Sequence, residues 1–289
     1  MPLPENTMLT RPPMSRPTRI DLHTHSRASD GQYAAEEVAR QAAAAGVGVW
    51  GLCDHDTVAG LPAAAAAARV VGIRLVPGIE LSAFLGRREI HLLGHFIDPA
   101  HESLRRFEDF LADHRRERMG KIVEKLAGLG IRIRAEDIVR HSGGKTLGRP
   151  HVARAIVEAG GAATVREAFD RFIGEGQPAY VGRYRLTVAD AVALVRGAGG
   201  TVTVAHPGVS GLEKGEIARM REAGVDGLEV HHPDHEPSRR EKYLRIAEAL
   251  DMVPTSGSDY HGEVVTPDRA IGAVTMDEEE LARLEGRRP

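Results

Sequence analysis

The stretch Val47-Gly48-Val49-Trp50-Gly51-Leu52-Cys53-Asp54-His55-Asp56-Thr57 combines the two features that decide the fold. Its first six residues form a short apolar run, as in a strand that is buried on both faces. Asp54, His55 and Asp56 follow at once, and burying such ionisable groups is costly unless they are used. Helix capping by Asp56 or Thr57 is an ordinary alternative, but it does not readily account for His55. The stretch therefore predicts a buried strand that presents polar side chains at its carboxyl end.

Short apolar runs alternate with alanine-rich helical runs over most of the chain. Strands are predicted at residues 19–22, 47–52, 73–81, 89–97, 201–205, 227–230, 252–256 and 271–275. Helices are predicted at residues 34–45, 62–71, 188–196, 214–223 and 236–250. Repeated βα units with buried strands predict an α/β fold built on a parallel sheet.

The middle of the chain has a different pattern. Between residues 102 and 174 apolar side chains recur at helical spacing, which predicts a helical insertion. We therefore expect one discontinuous barrel domain, residues 18–101 and 175–289, interrupted by this insertion. The proline-rich residues 1–17 lack an apolar run, so we expect a flexible leader and not a signal peptide.

Composition narrows the classes of function. The chain has 289 residues, a formal net charge of −3, one cysteine and 14 histidines. It is globular in composition, and the slightly negative charge argues against binding to long duplex nucleic acid. A single cysteine excludes an internal disulfide and suits the cytoplasm, and no apolar run approaches the length of a membrane span. Any bound metal must be held by imidazole and carboxylate groups.

Potential metal ligands recur where predicted strands end. Each cluster has a plain alternative when taken alone: His23 and His25 are only a pair, a lone Glu80 is usually solvated, and His91 could be a core histidine. Together they coincide with the rim on which parallel barrels build active sites. We interpret them as a site for two to three divalent ions, with manganese, iron and zinc all acceptable. The nine candidates are His23, His25, Asp30, His55, Glu80, His91, His206, Asp259 and His261.

The order of these clusters is specific. The motifs are His-x-His at 23–25, Cys-Asp-His-Asp-Thr at 53–57, Gly-Ile-Glu at 78–80, His-x-Leu-Gly at 91–94, Ala-His-Pro at 205–207 and Gly-Ser-Asp-x-His at 257–261. This set resembles the PHP (polymerase and histidinol phosphatase) family over roughly residues 18–275. The resemblance implies a distorted (β/α)₇ barrel with a trinuclear metal site. Cys53 stands where the family commonly has threonine, a change that we expect to be harmless.

The resemblance also implies how the ligands are shared. A first ion would be held by His23, His25, Glu80 and Asp259. A second would be held by Glu80, His91 and His206, with Glu80 bridging. A third would be held by Asp30, His55 and His261. His95 is an alternative to His91 by its strand face alone, but the family pattern favours His91.

A further motif, Gly148-Arg149-Pro150-His151, lies in the predicted insertion. It resembles the branch of the family that contains bacterial nucleoside 3′,5′-bisphosphate phosphatases and a 5′-to-3′ exoribonuclease. Pro150 suits the first turn of a helix, whose N-terminus favours an anion, so Arg149 and His151 are predicted to bind substrate phosphate. The alternative is that Arg149 pairs with a surface carboxylate and that His151 caps a turn.

The sequence thus predicts a metal-dependent phosphoesterase in which a metal-bound hydroxide attacks phosphorus. His206 and Asp54 are candidates for the acid that assists the leaving group. The expected substrates are small nucleotides, nucleoside 3′,5′-bisphosphates above all, or the 5′ ends of short RNA. Histidinol-phosphate phosphatase, an internally cutting nuclease and a non-catalytic metal-bound scaffold module are the alternatives.

Several other polar groups receive lesser roles. His231, His232 and His235 are assigned supporting or surface roles, because the nine ligands already form a complete set; the alternative is that one of them contacts substrate. The run 115–118 is interpreted as a solvated helix face, with steering of a phosphorylated substrate as the alternative. His101, His114 and His141 are interpreted as surface residues.

Overall fold

The computed structural model describes residues 18–142 and 148–289. The predicted leader, residues 1–17, lies outside the described residues. Within the described ranges no helix is both long and apolar enough to span a bilayer.

A single mixed sheet forms the centre of the molecule. Seven strands follow one another in the order β1-β2-β3-β4-β6-β7-β8, and the short β5 pairs with β3. The strands are β1 Arg19–Thr24, β2 Val47–Leu52, β3 Arg74–Leu85, β4 Arg88–His95, β5 Leu186–Thr187, β6 Thr201–Val204, β7 Gly227–His231 and β8 Val253–Ser256.

The sheet closes on itself between β1 and the segment after β8. The amide of His25 donates to the carbonyl of Tyr260 over 2.9 Å, and the amide of Asp259 donates to the carbonyl of His23 over 2.8 Å. Closure satisfies the edges of the sheet, which an open sheet would leave unpaired. The chain is therefore the distorted α/β barrel that the sequence predicts.

The distortion comes from β4. It runs antiparallel to β3 and to β6, whereas β1, β2, β3 and the β6, β7, β8 group pair in parallel. The cause is local: only the turn around Gly86 separates β3 from β4, and so short a link can join only antiparallel strands. Gly86 adopts a φ of +63°, which suits glycine.

Helices cover the barrel and fill the middle of the chain. They are α1 Ala35–Ala44, α2 Leu61–Val71, α3 Glu102–Gly128, α4 Ala135–Ser142, α5 Arg149–Glu158, α6 Val165–Ala168, a π-helix Phe169–Ile173, α7 Val188–Gly197, α8 Lys214–Glu222, α9 Pro237–Ala249 and α10 Glu278–Glu285. The central core packs the inner faces of α1, α2, α7, α8 and α9 against the sheet.

The segment between β4 and β5 contains its own apolar cluster. Met119, Ile122, Val152, Ile156 and Ile173 are among its buried members, and they pack apart from the barrel core. This grouping is what a helical insertion requires. The division into residues 102–174 and a barrel of 18–101 and 175–289 stays a prediction.

One predicted strand is wrong. Residues 271–275 form turns instead of a strand. Gly272 adopts a φ of +71°, which interrupts an extended backbone. The segment still reaches β1, because the Gly272 amide donates to Asp21 Oδ2 over 2.8 Å and the Ile20 amide donates to Thr275 Oγ1 over 2.8 Å.

Candidate metal centre and active-site cleft

The structure brings all nine predicted ligands together at one end of the barrel. His23 is the penultimate residue of β1, and Glu80 and His91 lie on β3 and β4. The other six lie in the loops that follow the strands: His25, Asp30, His55, His206, Asp259 and His261. Among residues in these loops, Asp56, His206 and Asp259 adopt positive φ values of 54°, 25° and 50°. Such backbone is rare outside glycine and concentrates at functional sites.

Glu80 lies at the centre of the cluster and is fully buried. Its Oε2 lies 3.3 Å from His23 Nε2, 3.1 Å from His25 Nε2 and 3.2 Å from His55 Nδ1. Its Oε1 lies 2.9 Å from His91 Nδ1, on the other side of the carboxylate. His206 Nε2 is 3.1 Å from the same Oε1. The two oxygens therefore face different sets of imidazoles, as a carboxylate that bridges two ions must.

A first group of ligand atoms has the spacing of a metal site. His23 Nε2 and His25 Nε2 are 3.0 Å apart. Asp259 Oδ1 lies 3.4 Å from the former and 3.2 Å from the latter, and Glu80 Oε2 completes the group. Four ligands at about 2.1 Å from one ion in a tetrahedron are separated by about 3.4 Å. The four atoms therefore fit around a single cation.

A second group opens toward solvent. Asp30 Oδ1 lies 3.3 Å from His261 Nε2, and Asp30 Oδ2 lies 3.8 Å from His55 Nε2. His25 belongs to the same group, and the Asp30 side chain is 55% exposed. His55 lies between this group and Glu80, and its Nδ1 is closer to Glu80 than its Nε2 is to Asp30. These residues could hold an ion at the mouth of the site.

Unsatisfied polar atoms support the same conclusion. The buried Nδ1 atoms of His25, His91 and His206 have no hydrogen-bond partner in the structure. His91 Nδ1 is close to Glu80 Oε1 but lacks the geometry of a hydrogen bond. Buried polar atoms are normally paired, so such a concentration calls for an additional bound group. Imidazole and carboxylate ligands fit manganese, iron or zinc, so the residues present fit divalent ions.

The charges of the metal-free cluster are strongly coupled. Burial opposes ionisation of Glu80, but the imidazoles of His55, His23 and His91 hold its pKa well below the usual range. Burial likewise opposes protonation of His23, yet the carboxylates of Glu229, Glu80 and Asp259 hold its pKa well above the usual value. The carboxylates therefore carry the negative charge that attracts a cation. A bound metal ion would displace the protons of the imidazoles that now balance this charge.

Three residues hold the ligands in place: Glu229 and Arg269, which the sequence analysis did not assign, and His232, for which it expects a supporting or surface role. Glu229 is buried, and its Oε1 accepts from His23 Nδ1 over 3.0 Å. Its Oε2 accepts from the amide of His206 over 2.7 Å. Arg269 donates to Asp259 Oδ2, and the buried His232 places its Nε2 3.6 Å from that oxygen. The available signal was the acidic Glu229 inside an apolar strand, a costly position that demands partners.

The two candidate acids differ in their surroundings. Asp54 is buried, and its oxygens accept hydrogen bonds from the amide and hydroxyl of Ser26 over 2.8 and 2.7 Å. The hydroxyl of Ser29 donates to Asp54 Oδ1 over 2.7 Å. Asp54 therefore fixes the loop that carries His25 and Asp30. His206 lies inside the cluster beside Glu80.

A cleft of about 1080 Å³ adjoins the metal cluster. It lies between α3, the tip of the β3–β4 hairpin, the start of α5 and residues 180–186. Asp56 and Glu89 line it where it meets the cluster, and Glu89 Oε1 lies 3.6 Å from His91 Nε2. Seven arginines and lysines line the cleft, against four aspartates and glutamates. The cleft is thus locally basic in an acidic chain, as an anionic ligand requires.

Arg149 and His151 both line this cleft. Arg149 is the first residue of α5, and its guanidinium lies 5.4 Å from the centre of the Tyr180 ring and 5.7 Å from that of Phe169. It forms no ion pair with a carboxylate among the described residues. His151 Nδ1 accepts from the Gly148 amide over 3.0 Å, so its imidazole caps the helix as well as facing the cleft.

The run 115–118 is only partly a solvated helix face. Arg116 is exposed and pairs with Asp113, as expected. Arg115 and Arg118 instead line the cleft, where Arg115 Nη2 lies 3.3 Å from Asp56 Oδ2. Burial and the positive charge of Arg149 lower the pKa of Arg118. Arg118 and Arg149 are neighbours and have no carboxylate partner in the described structure, so they are suited to binding an anion.

Comparisons with known proteins agree with this site. A model of the PHP domain matches residues 21–133. The chain is 34% identical to a 3′,5′-nucleoside bisphosphate phosphatase of Chromobacterium violaceum, over 84% of this chain and 87% of the relative. It is 33% identical to the 5′-3′ exoribonuclease Rnm of Salmonella typhimurium, over 83% of this chain and 84% of the relative.

A solved structure gives the same result at the level of the fold. It comes from Bifidobacterium adolescentis and is assigned to the metal-dependent phosphoesterases. It superimposes with a TM-score of 0.73 at 30% identity, over 94% of this chain and 98% of the other.

Barrel, ligand cluster and basic cleft together define a metal-dependent phosphoesterase. The chain belongs to the PHP family. The two relatives are named as a nucleotide phosphatase and a ribonuclease, which agrees with phosphoesterase activity and not with the alternatives of a scaffold module or a histidinol-phosphate phosphatase.

Proposed function

We propose that this chain removes a phosphate from nucleoside 3′,5′-bisphosphates. The observation that carries the proposal is the pair of arginines Arg118 and Arg149 in a cleft that adjoins the metal cluster at Asp56 and Glu89. A nucleoside bisphosphate has two phosphate groups, and the chain has two sites suited to phosphate: the metal cluster and the arginine pair. The named activity of the Chromobacterium violaceum relative supports the same substrate class.

We assign the ligands as the family resemblance implies, with manganese as the proposed metal. His23, His25, Glu80 and Asp259 would hold one ion, and Glu80, His91 and His206 a second. Asp30, His55 and His261 would hold a third. Bound divalent ions supply Lewis acidity toward phosphate oxygens and an activated water.

The remaining groups act on the substrate and on the ligands. Arg149 and Arg118 would bind the phosphate that is not cleaved, so that the ester to be cleaved lies against the metal cluster. His151 would add a donor at the same end of the cleft. Glu229 accepts from His23 Nδ1 and so presents Nε2 of that ring to the cluster. Neither candidate acid is free to donate a proton here: His206 is assigned to the second ion, and Asp54 accepts hydrogen bonds from Ser26 and Ser29.

The 5′ ends of short RNA are a second candidate substrate. The face of α3 that lines the cleft extends from Phe107 to Lys121, fourteen residue steps or about 21 Å along the helix axis. A cleft of this length could accept more than one nucleotide. The activity named for the Salmonella typhimurium relative favours the same candidate. We keep the cytoplasm as the proposed location, on the evidence of the single cysteine.

Arginine variants test the proposed function. Arg118→Ala and Arg149→Ala should each lower kcat/KM for adenosine 3′,5′-bisphosphate about 10- to 100-fold, as expected for lost charged hydrogen bonds. Their effect on whichever adenosine monophosphate, 3′ or 5′, the wild type hydrolyses should be much smaller, because that substrate lacks the second phosphate. Arg116→Ala is the matched control on the same helix and should resemble the wild type. Equal losses with both substrates, or no loss with either, would contradict the proposal.

A further inference from the structure

Three aromatic rings meet beside the cleft in a chain that is only 4% aromatic. The ring centres of Phe110 and His114 are 4.2 Å apart, and those of Phe110 and Tyr184 are 4.8 Å apart. His114 and Tyr184 lie 5.5 Å apart, and both line the cleft. Phe110 is 39% exposed and Tyr184 is 36% exposed. Large apolar surface that stays exposed beside a ligand cleft commonly marks a contact site.

The position of these rings relative to the phosphate groups is informative. Arg115 marks the level of α3 that contacts Asp56, the neighbour of the metal ligand His55. Phe110 lies five residues before Arg115, about 7.5 Å along the helix axis, and Arg118 lies three residues after it, about 4.5 Å. Phe110 and Arg118 therefore lie on opposite sides, along α3, of the level at which the cleft meets the metal cluster.

The charge of the cleft and the exposed aromatic rings indicate which class of ligand binds there. A lipid or an apolar protein segment would not match a cleft that carries more basic than acidic side chains. A nucleotide combines anionic phosphates with a flat ring, and nucleobases stack on aromatic side chains in single-strand binding sites. Burial of a base against these rings would cover the exposed apolar surface while leaving the phosphates among the cations.

We propose that Tyr184, together with His114 and Phe110, forms a stacking site for the nucleobase of the substrate. The inference rests on the proposed function and adds a specificity-determining contact to it. The nucleotide would span the metal cluster, with its base on the aromatic rings and its second phosphate on Arg118 and Arg149. Stacking tolerates all four bases, so the enzyme would prefer nucleotides over phosphate esters without a base and discriminate little among bases.

A pair of tyrosine variants tests the stacking site. Tyr184→Ala should raise KM for adenosine 3′,5′-bisphosphate about 5- to 150-fold, the range for loss of one base stack. Tyr184→Phe retains the ring and should rescue most of that loss. The inhibition constant of inorganic phosphate, which has no base, should change less than about twofold in both variants. Metal content, measured by elemental analysis, should stay at the wild-type level.

The outcomes separate this inference from the proposed function. An unchanged KM in Tyr184→Ala, or a parallel rise in KM and in the phosphate inhibition constant, would overturn the stacking site. Absence of turnover by metal-loaded wild type would instead count against the proposed function. In that case calorimetric binding of adenosine 5′-monophosphate decides: weaker binding to Tyr184→Ala than to the wild type and Tyr184→Phe supports the stacking site, and equal binding refutes it.

Discussion

Arg269 donates to one carboxylate oxygen of Asp259 and leaves the other facing His23 and His25. The guanidinium Nη1 contacts Oδ2, while Oδ1 lies 3.4 and 3.2 Å from the two imidazole nitrogens. Asp234 accepts from the other arm of Arg269 over 2.5 Å and so holds it in place. One arginine thereby fixes which oxygen of Asp259 faces the metal cluster.

Removal of this arginine should weaken metal binding. Arg269→Ala frees Asp259 to rotate, and loss of such supporting contacts typically costs 10- to 100-fold in metal affinity. We expect a loss of that size in Mn²⁺ titrations followed by calorimetry. Arg287→Ala, which breaks a surface pair with Asp251, is the matched control. Equal metal affinity in both variants would show that Arg269 does not position Asp259.

Glu80 should be essential for loading the site. Glu80→Gln keeps the size of the side chain but removes the negative charge that faces five imidazoles. We expect bound metal to fall and phosphate release to be abolished, as measured by elemental analysis and turnover on the same sample. Glu285→Gln, at an exposed pair with Arg74, serves as the control. Normal metal content together with normal turnover would refute a bridging role for Glu80.

The stability of the metal-free protein should fall as the pH rises from about 6.5 to 9. Burial opposes protonation of His25, but its hydrogen bonds to Asp259 and Glu80 raise its pKa to about 9, and the pKa of His23 is also raised. A histidine with a raised pKa contributes stability that is complete below its unfolded pKa and is lost as the pH passes its folded value. Burial lowers the pKa of His55 and of His95 to about 4, so these groups act below this window.

Thermal melting of chelator-treated protein checks the sign. The midpoint should be lower at pH 9 than at pH 6.5 at constant ionic strength, and His25→Asn should reduce the difference. Saturating Mn²⁺ should abolish it, because metal binds the neutral imidazole and displaces the protons. A midpoint that rises with pH in the metal-free protein would contradict the charge coupling described here.

The positions of several metal ligands can be predicted from the sequence because these residues lie near the ends of strands. His55 and His206 each come within three residues of the end of an apolar run, and the carboxyl ends of parallel strands meet at one edge of a barrel. Local sequence is therefore enough to place such residues near one another. The antiparallel β4 also brings His91 to this edge, because its position along the strand is set by the short turn at Gly86.

The less predictable part depends on distances between remote segments. Glu229 contacts His23, which is 206 positions away, and Arg269 contacts Asp234, which is 35 positions away. No local sequence pattern predicts either contact. A helix face alone does not reveal that another segment crosses it, so the sequence favours solvated positions for Arg118 and His114. Residues 180–186 form that crossing, and they convert part of the face of α3 into a cleft wall.

The most direct test of the metal cluster as the catalytic centre is phosphate release from adenosine 3′,5′-bisphosphate by Mn²⁺-loaded protein, with Asp259→Asn as the matched blank. We expect steady release by the wild type, loss of that release in Asp259→Asn, and reduced metal binding in the variant. Absence of release from folded, metal-loaded wild type, or undiminished release from Asp259→Asn, would contradict the assignment of this cluster as the centre that cleaves nucleotide phosphate.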